Sequence, residues 1–93
     1  MPTITKEKTL TELKEKLSAP YVLILWNDDY NSFDWVIECM MKICKHQYET
    51  ASQIAHLVHF KGKCDVKRGD KETISEMYEK LKSAGLTVTM ETN

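Results

Sequence analysis

At residues 21–40 the sequence reads YVLILWNDDYNSFDWVIECM, and this stretch decides the fold. Its first six residues form an unbroken apolar run of strand length that includes β-branched and aromatic side chains. Beyond a polar bend, apolar residues from Phe33 to Met40 recur at the spacing of one helical face. Ser32 stands at the expected N-cap, and Asp34 falls in the first turn, where the helix dipole favours a negative charge. The stretch therefore predicts a strand, a tight bend and a helix.

The bend concentrates hydrogen-bond acceptors between two rigid elements, which is where binding sites are often built. It carries Asn27, Asp28 and Asp29 in succession, and His59 is predicted to close a later helix. If that helix packs beside the bend, these groups converge on a small cationic donor such as a free α-amino group, whose pKa is about 7.7–8.0. Taken singly, each feature has a simpler interpretation, because Asn-Asp-Asp is also a turn sequence and His59 also suits a helix end.

Length and composition limit the class of protein. With 93 residues the chain has room for one domain with a single core. The formal net charge is −1 and the basic residues are scattered, so nucleic acid is not an expected partner. The first residues lack the apolar core of a signal peptide, and no apolar run reaches membrane-spanning length. We therefore expect a soluble, cytoplasmic protein with no membrane partner.

Cysteine usage agrees with a reducing compartment. Cys39, Cys44 and Cys64 are odd in number, and the first two lie within the predicted helical pattern. This is typical of free thiols rather than of a disulfide framework.

The chain divides into an extension and a folded domain. Residues 1–20 are rich in Lys, Glu and Thr, and their leucines give only a thin apolar stripe before Pro20. We predict a flexible N-terminal extension over 1–20 and a folded domain over 21–93.

Within the domain, two more helices and two more strands are predicted. The second helix has Thr50 and Gln53 as a capping box, and Gly62 ends it. A half-buried strand follows at residues 63–67, and Asp70 caps the third helix, which Gly85 closes. A last strand alternates from residue 86 onward. The order β-α-α-β-α-β predicts an α+β domain with a small three-stranded antiparallel sheet and three helices packed on one face.

Metal chemistry is not indicated by the residue spacing. A calcium loop starting at Asn27 would need glycine at its sixth position, where Ser32 stands, and a helix rather than a strand before it. The spacings of the cysteines and histidines are not those of paired zinc ligands. We expect no metal and no other cofactor.

Catalysis is the alternative class. A small metal- or thiol-dependent enzyme would use His59 with Cys64 or with the pair Asp28 and Asp29. All three cysteines lie in core-like or strand contexts, and no activating base is evident beside them. No catalytic residue is therefore predicted, and binding is the favoured class.

Two runs of the sequence resemble the ClpS family of protease adaptors. The first strand ends in Asn27-Asp28-Asp29-Tyr30, and the second predicted helix ends in Val-His-Phe-Lys-Gly at residues 58–62. In that family a strand ends in Asn-Asp-Asp-Tyr or a close variant, and a later helix ends in Val-His-Tyr/Phe-x-Gly. The match covers residues 21–63 without a gap, and the predicted element order is similar to the family's fold.

The resemblance implies a non-enzymatic adaptor that binds proteins beginning with Phe, Leu, Tyr or Trp and delivers them to a Clp ATPase-peptidase. The implied partners are therefore these substrate proteins and the N-terminal domain of a ClpA- or ClpC-like AAA+ ATPase, which the extension at 1–20 would engage. By position, the free amino terminus would be held by Asn27, Asp28, Asp29 and His59. The side-chain pocket would be walled by Asn31, Phe33, Val36, Ala55, Val58 and, in the last strand, Leu86.

Two pocket positions differ from the usual family residues. Phe33 and Ala55 both stand where relatives commonly carry Met. The larger side chain of Phe33, facing the smaller side chain of Ala55, should change the shape of the pocket. We expect Trp and Tyr termini to be accommodated at least as well as Leu, while β-branched Ile and Val clash near Phe33.

Overall fold

The computed structural model describes residues 21–92, and its helices and strands follow the predicted order. The elements are β1 (Tyr21–Trp26), α1 (Phe33–Lys42), α2 (Tyr48–Lys61), β2 (Lys63–Gly69), α3 (Lys71–Ser83) and β3 (Val88–Thr92). None of the helices in this range is long and apolar enough to cross a membrane. The predicted flexible extension at 1–20 lies outside the described residues.

β1 is the central strand of a three-stranded antiparallel sheet with the order β2-β1-β3. Leu25 lies opposite Cys64 on β2 and Val88 on β3. Between Leu23 and Ile24 the register against β2 shifts by one residue, which is a β-bulge. Because β1 is paired on both sides and its four inner residues are buried, it reads in the sequence as a continuous apolar run.

The three helices cover one face of this sheet around a single core. Leu23 and Leu25 are at most 1% exposed and lie within the core cluster. The helices contribute Val36, Cys39 and Met40 from α1, Ala51, Ile54, Ala55 and Val58 from α2, and Ile74 and Leu81 from α3. The predicted α+β class, with its element order and its three helices on one face, is confirmed.

Most of the predicted helix boundaries rest on local chemistry that the structure confirms. The hydroxyl of Ser32 accepts a hydrogen bond from the Trp35 backbone N–H at 3.1 Å, which caps α1. The carboxylate of Asp70 caps α3 in the same way. Gly62 (φ 94°) and Gly85 (φ 91°) adopt the left-handed backbone conformation that follows a helix end and that favours glycine.

The predicted start of α2 is wrong. The helix begins at Tyr48, and its N-cap is Gln47, which makes no side-chain capping bond. The Gln47 carbonyl accepts from the Ala51 N–H at 2.9 Å, so Thr50 already lies within the first turn of the helix. Thr50 and Gln53 therefore do not form a capping box at the start of α2.

The predicted start of β3 is also two residues too early. Leu86 still donates its backbone N–H to the Leu81 carbonyl at 3.1 Å, a bond that closes α3. The ladder with β1 therefore begins only at Val88, opposite Leu25.

Candidate functional site

The end of β1, the bend after it, the start of α1 and the second half of α2 surround one open cavity of about 230 Å³. Nine residues line it: Asn27, Asp28, Asp29, Asn31, Phe33, Val36, Ala55, Val58 and His59. The volume lies below the roughly 300–1,000 Å³ of pockets for drug-sized ligands. An engineered cavity of about 150 Å³ nevertheless holds benzene. The cavity therefore has the size for one amino-acid side chain, including an aromatic one.

A backbone contact brings the bend to the end of α2. The Asn27 N–H donates to the Gly62 carbonyl at 2.9 Å, immediately past the last residue of the helix. Gly62 reaches this position because its left-handed backbone ends α2 while its own N–H still donates to the Val58 carbonyl. His59 lies in the last turn of the same helix. Residues far apart in the sequence, Asn27 and His59, thus line the same cavity.

The carboxylate of Asp28 is engaged on both oxygens by donors of the chain itself. Oδ1 accepts from the backbone N–H groups of Tyr30 (3.0 Å) and Asn31 (2.9 Å). Oδ2 accepts from Asn31 Nδ2 and from Thr87 Oγ1, both at 2.8 Å. Partial burial alone would raise the pKa of Asp28, but these hydrogen bonds outweigh it and hold the pKa below the ordinary 3.8. Asp28 is therefore a charged centre that organises the bend.

Asp29 and Asn27 have a different character. Both residues are exposed, and within residues 21–92 neither side chain is engaged in a hydrogen bond or an ion pair. Their oxygens are available as acceptors on the wall of the cavity.

The loop between α3 and β3 fastens the bend from the other side. Asn31 Nδ2 donates to the Gly85 carbonyl at 3.0 Å, and Trp35 Nε1 donates to the Ala84 carbonyl at 3.0 Å. With the Thr87 hydroxyl on Asp28, three hydrogen bonds join residues separated by about 50 positions or more. The start of α1 is consequently held in one orientation relative to the sheet.

The apolar wall of the cavity comes from α1 and α2. Val36, Ala55 and Val58 are buried core residues that also border the cavity. Phe33, the first residue of α1, is 40% exposed and borders the cavity.

Leu86 does not border the cavity. It is 4% exposed, belongs to the core cluster and lies in the loop before β3. The pocket role that the resemblance implied for Leu86 has no support in the cavity lining.

The thiols carry no sign of activation. All three cysteines, which lie among the described residues, are free. Burial raises the pKa of the Cys64 thiol and the Asp65 charge raises it further, and burial raises the pKa of Cys44 to about 11. Thiolates are the reactive form, so these thiols are poor nucleophiles at neutral pH. Within residues 21–92 no group of three or more His, Cys, Asp or Glu side chains is arranged to hold a metal ion.

Comparison with known proteins gives the family. The family model described as "ATP-dependent Clp protease adaptor protein ClpS" matches residues 16–89, which is most of the chain. The chain belongs to the ClpS family. ClpS is a family of adaptors and not of catalysts, so the enzymatic alternative is set aside.

Curated ClpS relatives cover nearly the whole chain. The ClpS adapter protein of Nostoc sp. is 32% identical over 88 residues, which are 94% of this chain and 90% of the relative. That of Rhodococcus jostii is 29% identical over 85 residues, which are 91% of this chain and 76% of the relative. Among solved structures, Agrobacterium tumefaciens ClpS2 bound to L-phenylalaninamide has the same fold, with a TM-score of 0.71 and 22% identity. The alignment covers 82% of this chain and 99% of that one.

Four residues around the ClpS cavity have roles that the sequence did not reveal. Thr87 and Trp35 bind the bend and the loop across long sequence separations, for which no local pattern exists. His56 and Phe60 contact other rings beside the cavity. On α2, His56 lies three residues before His59 and four before Phe60, and these helical spacings were the signal available for them.

Proposed function

We propose that this chain is an adaptor that binds proteins through a free N-terminal Phe, Leu, Tyr or Trp and delivers them to a Clp ATPase-peptidase. The observation that supports this most is the cavity, which combines hydrogen-bond acceptors and apolar walls in a volume suited to one side chain. The Agrobacterium relative was solved with L-phenylalaninamide, a molecule that offers a free ammonium group and an aromatic side chain.

The polar wall suits an ammonium group. Asn27 and Asp29 supply acceptor oxygens, and a neutral His59 imidazole supplies one acceptor nitrogen. The carbonyl end of α2 adjoins Asn27, and a helix C-terminus carries partial negative charge that favours a cation. Asp28 adds its charge and fixes the bend, while a direct contact with the ligand would have to displace one of its four donors.

The apolar wall suits the side chain that follows the ammonium group. Burial of a Leu or Phe side chain against Val36, Ala55 and Val58 is worth about 1.5–3 kcal/mol. Asn31 and Phe33 complete this wall at the side of the bend. A peptide thus needs both a charged terminus and a bulky first residue to gain the full affinity.

A fluorescence titration with two peptides tests this function. One peptide begins with a free Phe, and its twin carries an acetylated Phe. Acetylation removes the charge and two donors, and each charge-assisted hydrogen bond is worth about 1.5–3 kcal/mol, so the twin should bind at least about 100-fold more weakly. A third peptide with a free N-terminal Ser keeps the amine and should also bind weakly. Equal binding of the free and acetylated Phe peptides would refute the proposal.

Delivery to the protease is the second half of the proposed function. We assign delivery to the cytoplasm, a reducing compartment in which three free thiols persist. The proposed partner is a ClpA- or ClpC-like ATPase, and the segment 1–20 is the part proposed to engage it. Deletion of 1–20 should leave the Kd for the Phe peptide unchanged and abolish degradation of a Phe-starting substrate by the reconstituted protease. Loss of peptide binding in the same deletion would contradict this division of roles.

A further inference from the structure

Beside the cavity lies a group of four contacting rings that the proposed binding of the first residue does not use fully. Phe33 stacks on His56 with ring centroids 5.0 Å apart, and it contacts His59 at 5.2 Å. Phe60 stands edge-on to His59 at 5.0 Å and nearly parallel to His56 at 6.1 Å. We call Phe33, His56, His59 and Phe60 the ring cluster. Phe60 is 74% exposed although it contacts two neighbouring rings.

The imidazole of His56 is held in one orientation. Its Nδ1 lies 2.9 Å from the Ser52 carbonyl oxygen, one helical turn earlier. A carbonyl only accepts, so Nδ1 carries the proton of this bond and Nε2 is the remaining ring nitrogen. The ring of His56 therefore already lies against Phe33 and Phe60 before any ligand binds.

The ring cluster is continuous with the cavity, because Phe33 and His59 belong to both. An extended peptide directs successive side chains to opposite sides, with about 3.8 Å between neighbouring Cα atoms. When the first side chain enters the cavity, the second therefore points away from the cavity floor and toward its rim. On α2, the exposed rings of His56 and Phe60 contact the lining residues Phe33 and His59.

We propose that the ring cluster is a subsite for the second residue of the bound N-terminal peptide and that it favours an aromatic side chain there. This inference rests on the proposed function. Aromatic pairs gain energy from stacked and edge-on arrangements beyond the area that they bury. The rings of His56 and Phe60 already contact their neighbours, and these contacts reduce the conformational entropy that is lost when a third ring packs on them. Tyr30, in the bend, is also exposed (91%) but has no ring contact within residues 21–92, so it offers no comparable group of rings.

Peptides that differ only at the second position test the subsite. With Phe first in every peptide, Tyr at the second position should bind about threefold to tenfold more tightly than Ala, the range that an aromatic pair provides. In the Phe60→Ala variant this ratio should fall to near one, while the Kd of the Phe-Ala peptide changes less than twofold. Phe60 is exposed, so the variant should fold, and His56→Ala should lower the same ratio independently. Tyr30→Ala is the matched control and should leave the ratio unchanged.

The possible results separate this inference from the function on which it rests. If no Phe-starting peptide binds, the proposed function fails. If Phe-Ala and Phe-Tyr bind the wild-type protein equally, the function stands and the subsite is refuted. A preference for Tyr that survives in Phe60→Ala and His56→Ala but disappears in Tyr30→Ala would overturn the inference in favour of a contact with Tyr30.

Discussion

Replacement of Asp28 by Asn tests whether this residue organises the bend, and Asp29→Asn is the matched comparison. The two carboxylates are neighbours in the chain and both border the cavity. Asp28 accepts four hydrogen bonds from Tyr30, Asn31 and Thr87, whereas the Asp29 carboxylate has no partner within residues 21–92. The same chemical change should therefore affect stability at one position and ligand binding at the other.

The expected loss follows from the hydrogen bonds. In Asp28→Asn an NH₂ group replaces one oxygen and cannot accept, so two of the four donors lose their acceptor. The Thr87 hydroxyl can rotate and accept instead, but Asn31 Nδ2 cannot, because an amide nitrogen has no lone pair with which to accept. A hydrogen bond to a charged group is worth about 1.5–3 kcal/mol, and because Asp28 is only half-buried we use about 1 kcal/mol for each lost bond. The lost bond from Asn31 costs about 1 kcal/mol, and the loss of charge assistance in the remaining bonds costs about 1 kcal/mol more. The free energy of unfolding should thus fall by about 2 kcal/mol, or roughly 8–16 °C in Tm for a domain of this size.

Urea denaturation at neutral pH measures this loss, and its pH dependence identifies the cause. The pKa of Asp28 is lower in the folded protein than the ordinary 3.8. Its stabilising contribution is therefore complete above the unfolded pKa and disappears as the pH falls through the folded pKa. The difference between wild type and Asp28→Asn should be constant near neutral pH and shrink below about pH 4.

The comparison with Asp29→Asn shows which results would contradict the role assigned to Asp28. This variant should keep the wild-type stability to within about 0.5 kcal/mol and should bind a Phe-starting peptide roughly tenfold more weakly, because one charge-assisted acceptor is lost. If Asp29→Asn unfolds as easily as Asp28→Asn, or if Asp28→Asn is as stable as the wild type, the assignment of Asp28 to the bend is wrong.

Two further predictions concern the cavity and the core. Ala55→Met fills part of the 230 Å³ cavity. Peptide titrations should therefore show that a Trp-starting peptide loses tenfold or more in affinity, while the affinity of a Leu-starting peptide changes little. Equal losses for both peptides would show that Ala55 does not set the pocket size. Burial raises the pKa of Cys44 to about 11, and the residue is 0% exposed. Iodoacetamide at pH 8 should therefore modify the partly exposed Cys64 first and Cys44 only after unfolding. Peptide mass spectrometry measures which cysteine is modified. Early labelling of Cys44 in the native protein would mean that the core opens more readily than its packing implies.

Local chemistry made most of the fold predictable from the sequence. Ser32, Asp70 and Gly85 act through contacts within a few residues of themselves, so their positions indicate helix ends directly. The start of α2 was missed because Gln47 caps it without a side-chain bond, whereas Thr50 and Gln53 imitate a capping box. A helix boundary without a side-chain signal leaves nothing in the sequence to identify it.

In the candidate site, too, some features could be predicted from the sequence and the long-range contacts could not. Asn27 and His59 were predicted to meet from the character of their groups and from the family resemblance, and both line the cavity. The bonds from Thr87 to Asp28 and from Trp35 to Ala84 join residues 59 and 49 positions apart and have no periodic signature. Leu86, for which the resemblance implied a place in the pocket wall, lies in the core cluster and is absent from the cavity lining. Contacts of this kind follow from packing of the whole domain and are not encoded locally.

If the proposed function holds, the helix ends around the cavity favour one direction of peptide entry. α2 ends beside Asn27, so the partial negative charge of its carbonyl end is added to the charges of Asp28 and Asp29. α1 begins at Phe33, where the N-terminal end of the helix carries partial positive charge that disfavours a cation. In the proposed complex, an ammonium group would therefore be more stable at the Asn27 side than at the first turn of α1, and the first side chain would point toward Phe33. Because the donors of the chain itself already hold Asp28, this charge arrangement exists before the ligand binds, and little order has to be created when it does.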